Sequence, residues 1–308
     1  MEMTTASESR QSPLPVLLAG LLTTALTLAG VWWLGRNSSD FNIMGWYANY
    51  VIPAGALLVG AAAGSGYGLA SWWTGLKIRR SLLAAVLGLQ LVAYAAAEYI
   101  EYRDLVRAAD VGEGAPGFLA YYHLKTMSFA WQDHGRPGDP IGMWGYLFVG
   151  LAVVGFAAGG VVAPALLARV AYCERCQMYM RSRQLTTLPA SVKHRRVSKK
   201  DVDAWTAYQE EQRLAAERGV ARLQELADVT RSRDGYALKA AVAEDNQGAK
   251  AAAKLPARIA VHLVHCRQCL DAHLQPVSLS GHGNQQKATK LERIAAAPEI
   301  AKALRDGA

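Results

Sequence analysis

Charged side chains are missing from four long stretches of this chain, and cysteine is missing outside two short motifs. Between Leu14 and Leu34 lie 21 residues without an ionisable group. That is enough to cross a hydrocarbon core of roughly 30 Å at about 1.5 Å per residue. Similar runs extend from about Tyr47 to Leu76, from Leu82 to about Ala97 and from Ile141 to Ala168. The third continues as a helix through Glu98, Tyr99 and Tyr102 into the interface. One such run also fits a buried core helix. Four of them, bordered by aromatic rings, predict membrane spans over about 14–34, 47–76, 82–102 and 141–170. Trp32 and Trp33, Trp46, Tyr47 and Tyr50, Trp72 and Trp73, Tyr99 and Tyr102, and Trp144 and Tyr146 mark the ends, where amphipathic rings favour the headgroup layer. The first run is longer than the apolar part of a signal peptide, and no small-residue cleavage site follows, so it reads as an anchor.

The missing charges also narrow the function. No Asp, Glu, Lys, Arg or His stands at the middle of any run, and Gln90 is the main strongly polar residue at depth. Proton relays and ion-coupled transporters need buried ionisable groups, so this lack counts against both. No nucleophile–base pair, phosphate loop or carboxylate dyad is visible, and no enzyme is expected. Pro53 and Pro164 are candidate kinks. Small residues recur instead. Gly60, Gly64 and Gly68 form one stripe, and Gly155, Gly159 and Ala163 another. Such stripes let helix backbones approach closely in lipid. Packing of the second run on the fourth is one reading, and a homo-oligomeric seam around a pore is the other.

Short-loop charge sets the orientation. Lys77, Arg79 and Arg80 stand between runs two and three with no acid, and Arg169, Arg175, Arg181 and Arg183 follow run four. From Glu98 to Asp139 there are seven acids against four bases. Both termini are therefore expected in the cytosol and the loop 103–140 outside. In that loop 118–131 has strand-like aromatic character, and the breaker residues 134–138 predict a turn. His123, Asp133 and His134 are weak candidates for metal or acid–base chemistry; packing and hydrogen bonding explain them better.

The rest of the chain is soluble and basic. Residues 1–172 carry ten bases and ten acids, whereas 173–308 carry 23 bases and 15 acids, which is the whole excess of +8. Lys193, Arg195, Arg196, Lys199 and Lys200 cluster with His194. An anionic lipid surface, worth about 1 kcal/mol per well-placed base, or a partner protein would match them. The cluster lacks the interleaved aromatics of a nucleic-acid surface, though basic runs also serve nucleic acid.

All four cysteines of the chain fall here, as Cys173-x2-Cys176 and Cys266-x2-Cys269. That spacing is the one used by all-cysteine zinc sites, and thiolate ligands persist best in the reducing cytosol. The 89 residues between the pairs far exceed the usual ~15–20 of a compact zinc module. A roughly fivefold longer loop costs only about 1.4 kcal/mol more to close, whereas a structural zinc ion contributes on the order of 10–16 kcal/mol. A thioredoxin-type redox pair competes, but its βαβ context is not visible. His262 and His265 are alternative ligands that four cysteines make unnecessary.

Strands are predicted over 257–265 and 272–279, flanking the second pair, and over 177–188 after the first. Between the pairs, Ser198-x2-Asp201 starts a helix that carries Val202, Trp205, Leu214, Leu223 and Leu226 to about Ala227. Its apolar face either packs on the ribbon or forms a coiled coil with another chain. A weaker helix is expected over 236–254, broken at 246–248. Residues 280–286 read as loop, and 290–305 as a short helix broken by Pro298.

The fold class is therefore a polytopic α-helical membrane protein of four spans. It has a tail at 1–13, a membrane domain at 14–172, and a cytosolic α+β zinc-ribbon-like domain at 173–308 with a helical insertion at 198–254. The combination resembles the class of small bacterial membrane proteins with zinc-ribbon tails, which implies the cell inner membrane. The expected function is a membrane-anchored adaptor whose ribbon docks a protein partner. The alternative is a homo-oligomeric channel with the ribbon as its assembly or gating element.

Overall fold

A computed structural model describes residues 12–37, 43–49, 51–108, 116–133, 136–281 and 285–305. The chain divides into two compact units, Met1–Val170 and Ala171–Ala308.

The first unit is helical. Its elements are α1 (Leu14–Asn37), α2 (Ala54–Thr74), α3 (Arg80–Ala108), α4 (Phe118–Met127), the strands β1 (Ala130–Asp133) and β2 (Arg136–Pro140), and α5 (Gly145–Leu167). Among the described residues, three helices are long and apolar enough to cross a membrane: Leu14–Asn37, Arg80–Arg107 and Gly142–Leu167. The expected second span does not reach that measure, because five of the 21 residues of α2 are glycine.

Those glycines have a packing role. A Cβ on Gly60 would overlap the Phe156 carbonyl, one on Gly64 the Gly160 carbonyl, and one on Gly159 the Leu57 carbonyl. Gly68 faces Ala163, and Gly155 faces the Pro53 ring. The two stripes thus face each other within one chain, and backbone meets backbone where any side chain would hold the helices apart. On the other flank of α2, the Thr23 and Thr24 hydroxyls of α1 donate to the Ala63 carbonyl at 2.8 and 3.2 Å. Ala56, Val59, Ala63, Ala93, Tyr94, Ala152 and Phe156 fill the core.

Two sequence expectations need correction here. The second span does not begin at Tyr47. Pro53 has no N–H to donate and disfavours helical backbone in the residue before it, so α2 starts only after it. The preceding stretch is bridged between Ala48 and Ile52, with the Tyr47 hydroxyl donating to the Phe148 carbonyl at 2.5 Å. Pro164 lies inside α5 near its end.

The second correction concerns 118–131. Residues 118–127 are helix, and the strands 130–133 and 136–140 pair antiparallel. Phe118, Tyr121 and Lys125 recur at helical spacing along one side of α4, where they meet α3. The Phe118 ring lies 5.6 Å from those of Tyr99 and Tyr102, and the Tyr121 ring 5.3 Å from Tyr102. The Lys125 ammonium donates to Glu98 and Glu101, each at 2.7 Å. Tertiary contacts override the strand propensity of the aromatics. His123 Nδ1 is 2.5 Å from the Tyr146 hydroxyl. His134, Gly135 and the Asp133 side chain lie outside what the structure describes.

The second unit is α+β. Its strands are β3 (Tyr172–Cys173), β4 (Met178–Tyr179), β5 (Arg181–Pro189), β6 (Ala257–His265), β7 (Ala272–Ser280), β8 (Lys287–Lys290) and β9 (Ile294–Ala296). Its helices are α6 (Val202–Arg231), α7 (Gly235–Ala252) and α8 (Pro298–Arg305). β3 and β4 form a small hairpin, while the main sheet is antiparallel in the order β5-β6-β7-β8, with β9 also on β7. Ile259, Val261 and Leu263 alternate along β6 onto the face that the helices cover. There Leu188, Leu226, Leu238, Val242, Leu274, Ile300 and Leu304 join them. Leu226 and the partly buried Leu223 bring the C-terminal half of α6 into this core, whereas Val202 and Leu214 stay exposed.

The helix start also shifts. Asp201 is itself the N-cap, its carboxylate accepting from Ala204 N–H at 3.1 Å, while Ser198 Oγ accepts from Lys200 N–H. α7 runs unbroken through 246–248, because Gly248 costs only about 1 kcal/mol when its neighbours favour helix. Segment 290–297 is not helix. Residues 287–290 and 294–296 add to the edge of β7, and only 298–305 is helical. Gln275 fills the gap between those two strands, donating to the Leu291 carbonyl at 2.8 Å and accepting from Arg293 at 3.3 Å.

Candidate metal centre

The four sulfurs converge. One ligand atom from each of Cys173, Cys176, Cys266 and Cys269 lies within 4.8 Å of the others, and Cys173 Sγ is 3.5 Å from Cys269 Sγ. Zinc–sulfur bonds of about 2.3 Å in a tetrahedron require sulfur separations of about 3.8 Å. The cluster brackets that value, and none of the four is in a disulfide. The donor set therefore fits a thiolate-bound metal ion.

Two hairpins of the same construction present these sulfurs. The first is the β3–β4 turn, and the second joins β6 to β7. In each, the residue directly after the second cysteine takes a left-handed backbone: Gln177 at φ 50° and Leu270 at φ 60°. A non-glycine residue there costs on the order of 1 kcal/mol or more, and such strain collects at functional sites. In the second hairpin Cys266 N–H donates to the Asp271 carbonyl at 2.8 Å, closing the turn. Neither Gln177 nor Leu270 is marked by its residue type. Only the repeated position after Cys-x2-Cys links them.

The long separation is closed by the sheet. β5 follows the first hairpin and lies antiparallel to β6, with Arg181 opposite His265, so the start of one strand meets the end of the other beside the second hairpin. Cys173 and Cys266 are buried with Met180 and Val264, while Cys176 and Cys269 are half-buried.

The thiols hold their protons unequally. The backbone N–H of Asp271 lowers the Cys269 thiol to about 7. Burial pushes Cys173 up, and Cys176 rises because its thiol donates toward Cys269. Of these three, Cys269 is the thiol most easily ionised, and a bound cation would take the place of the protons on the others. His262 stands on β6 with burial lowering its imidazole below the usual range, and it is not part of the cluster.

The basic residues lie elsewhere. Lys193, Arg195, Arg196, Lys199 and Lys200 are all exposed in the segment joining β5 to α6. Arg195 donates to Glu211 at 3.2 Å and sits 5.4 Å from the Tyr208 ring, and Lys199 is 5.6 Å from the Trp205 ring.

Sequence reasoning did not anticipate the charged cluster in the first unit. Glu98 is 8% exposed, between Lys125 and the rings of α3 and α4. Burial disfavours the Lys125 ammonium, but the two carboxylates outweigh it and raise its pKa. Comparison with family models, with curated proteins and with solved structures finds no match for this chain.

Proposed function

We propose that this protein is a membrane-anchored adaptor whose tail domain is a zinc ribbon that docks a protein partner. The four converging sulfurs carry the reading. A zinc site made of four cysteines leaves no coordination position open for catalysis, so the ion serves to hold the two hairpins together. Cys173, Cys176, Cys266 and Cys269 hold the ion, and burial of Cys173 and Cys266 limits its access to water. Zinc is favoured over softer redox metals because four thiolates in a tetrahedron suit an ion with no geometric preference of its own.

In this reading α2 crosses the bilayer together with the three more apolar helices. Its modest apolarity is acceptable because α1 and α5 cover much of it. The membrane is the bacterial inner membrane, with both termini in the cytosol and 103–140 outside. A pore built on the glycine stripes keeps no separate observation in its favour, since those glycines already meet within one chain.

Native mass spectrometry of the protein released gently from its own membrane tests the proposal. One zinc per chain together with a second polypeptide is the expected mass. Recovery of this chain alone, as a monomer or as a closed homomeric ring, would overturn the adaptor reading.

A further inference from the structure

The polybasic segment between β5 and α6 is the feature that the docking reading leaves unused. From Lys193 to Lys200 it holds Lys193, His194, Arg195, Arg196, Lys199 and Lys200 and no acid. It also has shape. Arg195, Arg196, Val197 and Ser198 line a shallow groove together with Asp201, Ala204 and Ala207 at the start of α6. Asp201 caps the helix and Glu211 pairs with Arg195, and the five Lys and Arg of the segment outnumber Asp201, Asp203 and Glu211. Next to the groove, Val202 is 68% exposed and Trp205 lies under Lys199. Cations, a hydroxyl and an apolar edge thus lie together, which is the composition of a surface that meets lipid headgroups.

We infer that this groove seats the phosphate of an anionic lipid headgroup. Arg195 and Arg196 line it, Lys199 and Lys200 stand beside it in the same exposed segment, and Val202 supplies an exposed apolar edge. A nucleic acid fits less well, because the two rings that bases would stack on already carry Arg195 and Lys199. Apolar helices in the same chain keep anionic headgroups at high local concentration around the tail, so a weak individual site is well occupied.

The test uses the full chain in nanodiscs of phosphatidylcholine, with and without phosphatidylglycerol, read by hydrogen exchange. Amides of 195–206 should exchange roughly fivefold or more slowly in the anionic discs, and this difference should disappear with added salt. It should also disappear in the R196Q/K199Q/K200Q variant, while β6 exchange stays the same and reports an intact fold. Equal exchange of 195–206 in both discs would overturn the inference. So would equal slowing by inorganic phosphate in neutral discs, which would assign the groove to a soluble anion. Purified protein carries no partner here, so either result is independent of the docking proposal.

Discussion

The Cys173 and Cys269 sulfurs lie 3.5 Å apart, although 96 positions separate them in the chain. Two tight hairpins and one strand pairing produce this closeness. β5 returns along β6 so that the two cysteine turns lie at the same end of the sheet. The helical insertion α6–α7 is accommodated on the sheet face, and it does not hold the hairpins apart.

Replacing either buried cysteine, C173S or C266S, should remove the bound metal and loosen both hairpins. An uncompensated structural zinc site forfeits a large part of about 10–16 kcal/mol. Metal content should fall from one ion per chain to near zero. Proteolysis of the tail should then match that of the wild type treated with a chelator. A C173S protein that keeps a full equivalent of metal contradicts this.

Metal affinity should also depend steeply on pH. The pKa values of the Cys173 and Cys176 thiols are raised, so both hold protons at neutral pH, whereas Cys269 is lowered to about 7. Binding must expel those protons, so affinity rises with pH and falls on acidification. At least two protons are expelled, which gives a slope of about 2 or more in log affinity per pH unit, and partial protonation of Cys269 steepens it below pH 7. Competitive titration with a zinc indicator at several pH values measures the slope. A flat profile would show that the thiols do not bind the ion.

Two glycine substitutions separate packing from helix propensity. Gly64→Ala places a methyl group against the Gly160 carbonyl and should destabilise the helical unit by about 1–3 kcal/mol. Gly88→Ala on α3 meets nothing within 4 Å and should be neutral or stabilising by up to about 1 kcal/mol. Thermal unfolding in detergent distinguishes them. Equal effects from both substitutions would mean that the α2–α5 contact is not close.

Gln90 offers a stabilising change. It is fully buried on α3 against Gly160, and neither its amide nitrogen nor its oxygen has a hydrogen-bond partner among the described residues. A buried polar group without a partner costs about 1–3 kcal/mol, and methionine has nearly the same shape without that cost. Gln90→Met should therefore raise the unfolding temperature. A lower temperature would show that the amide has a bonded partner, such as an internal water.

The sequence by itself determined the apolar runs, the two Cys-x2-Cys motifs and the strands 257–265 and 272–279 beside the second pair. Each is a local signal: a charge-free stretch, a fixed spacing, or an alternation of β-branched residues. Tertiary structure alone decided what non-local partners impose. Phe118, Tyr121 and Lys125 become one face of a helix because α3 presents Tyr99, Tyr102, Glu98 and Glu101 to them. Residues 287–290 and 294–296 are strands because β7 has a free edge, and nothing local marks them. The Gly60–Gly68 stripe could have met another chain as readily as α5, since a stripe specifies close approach and not its partner. The gathering of four sulfurs across 96 positions also required a sheet register, which depends on two strands at once and so is not written in either of them.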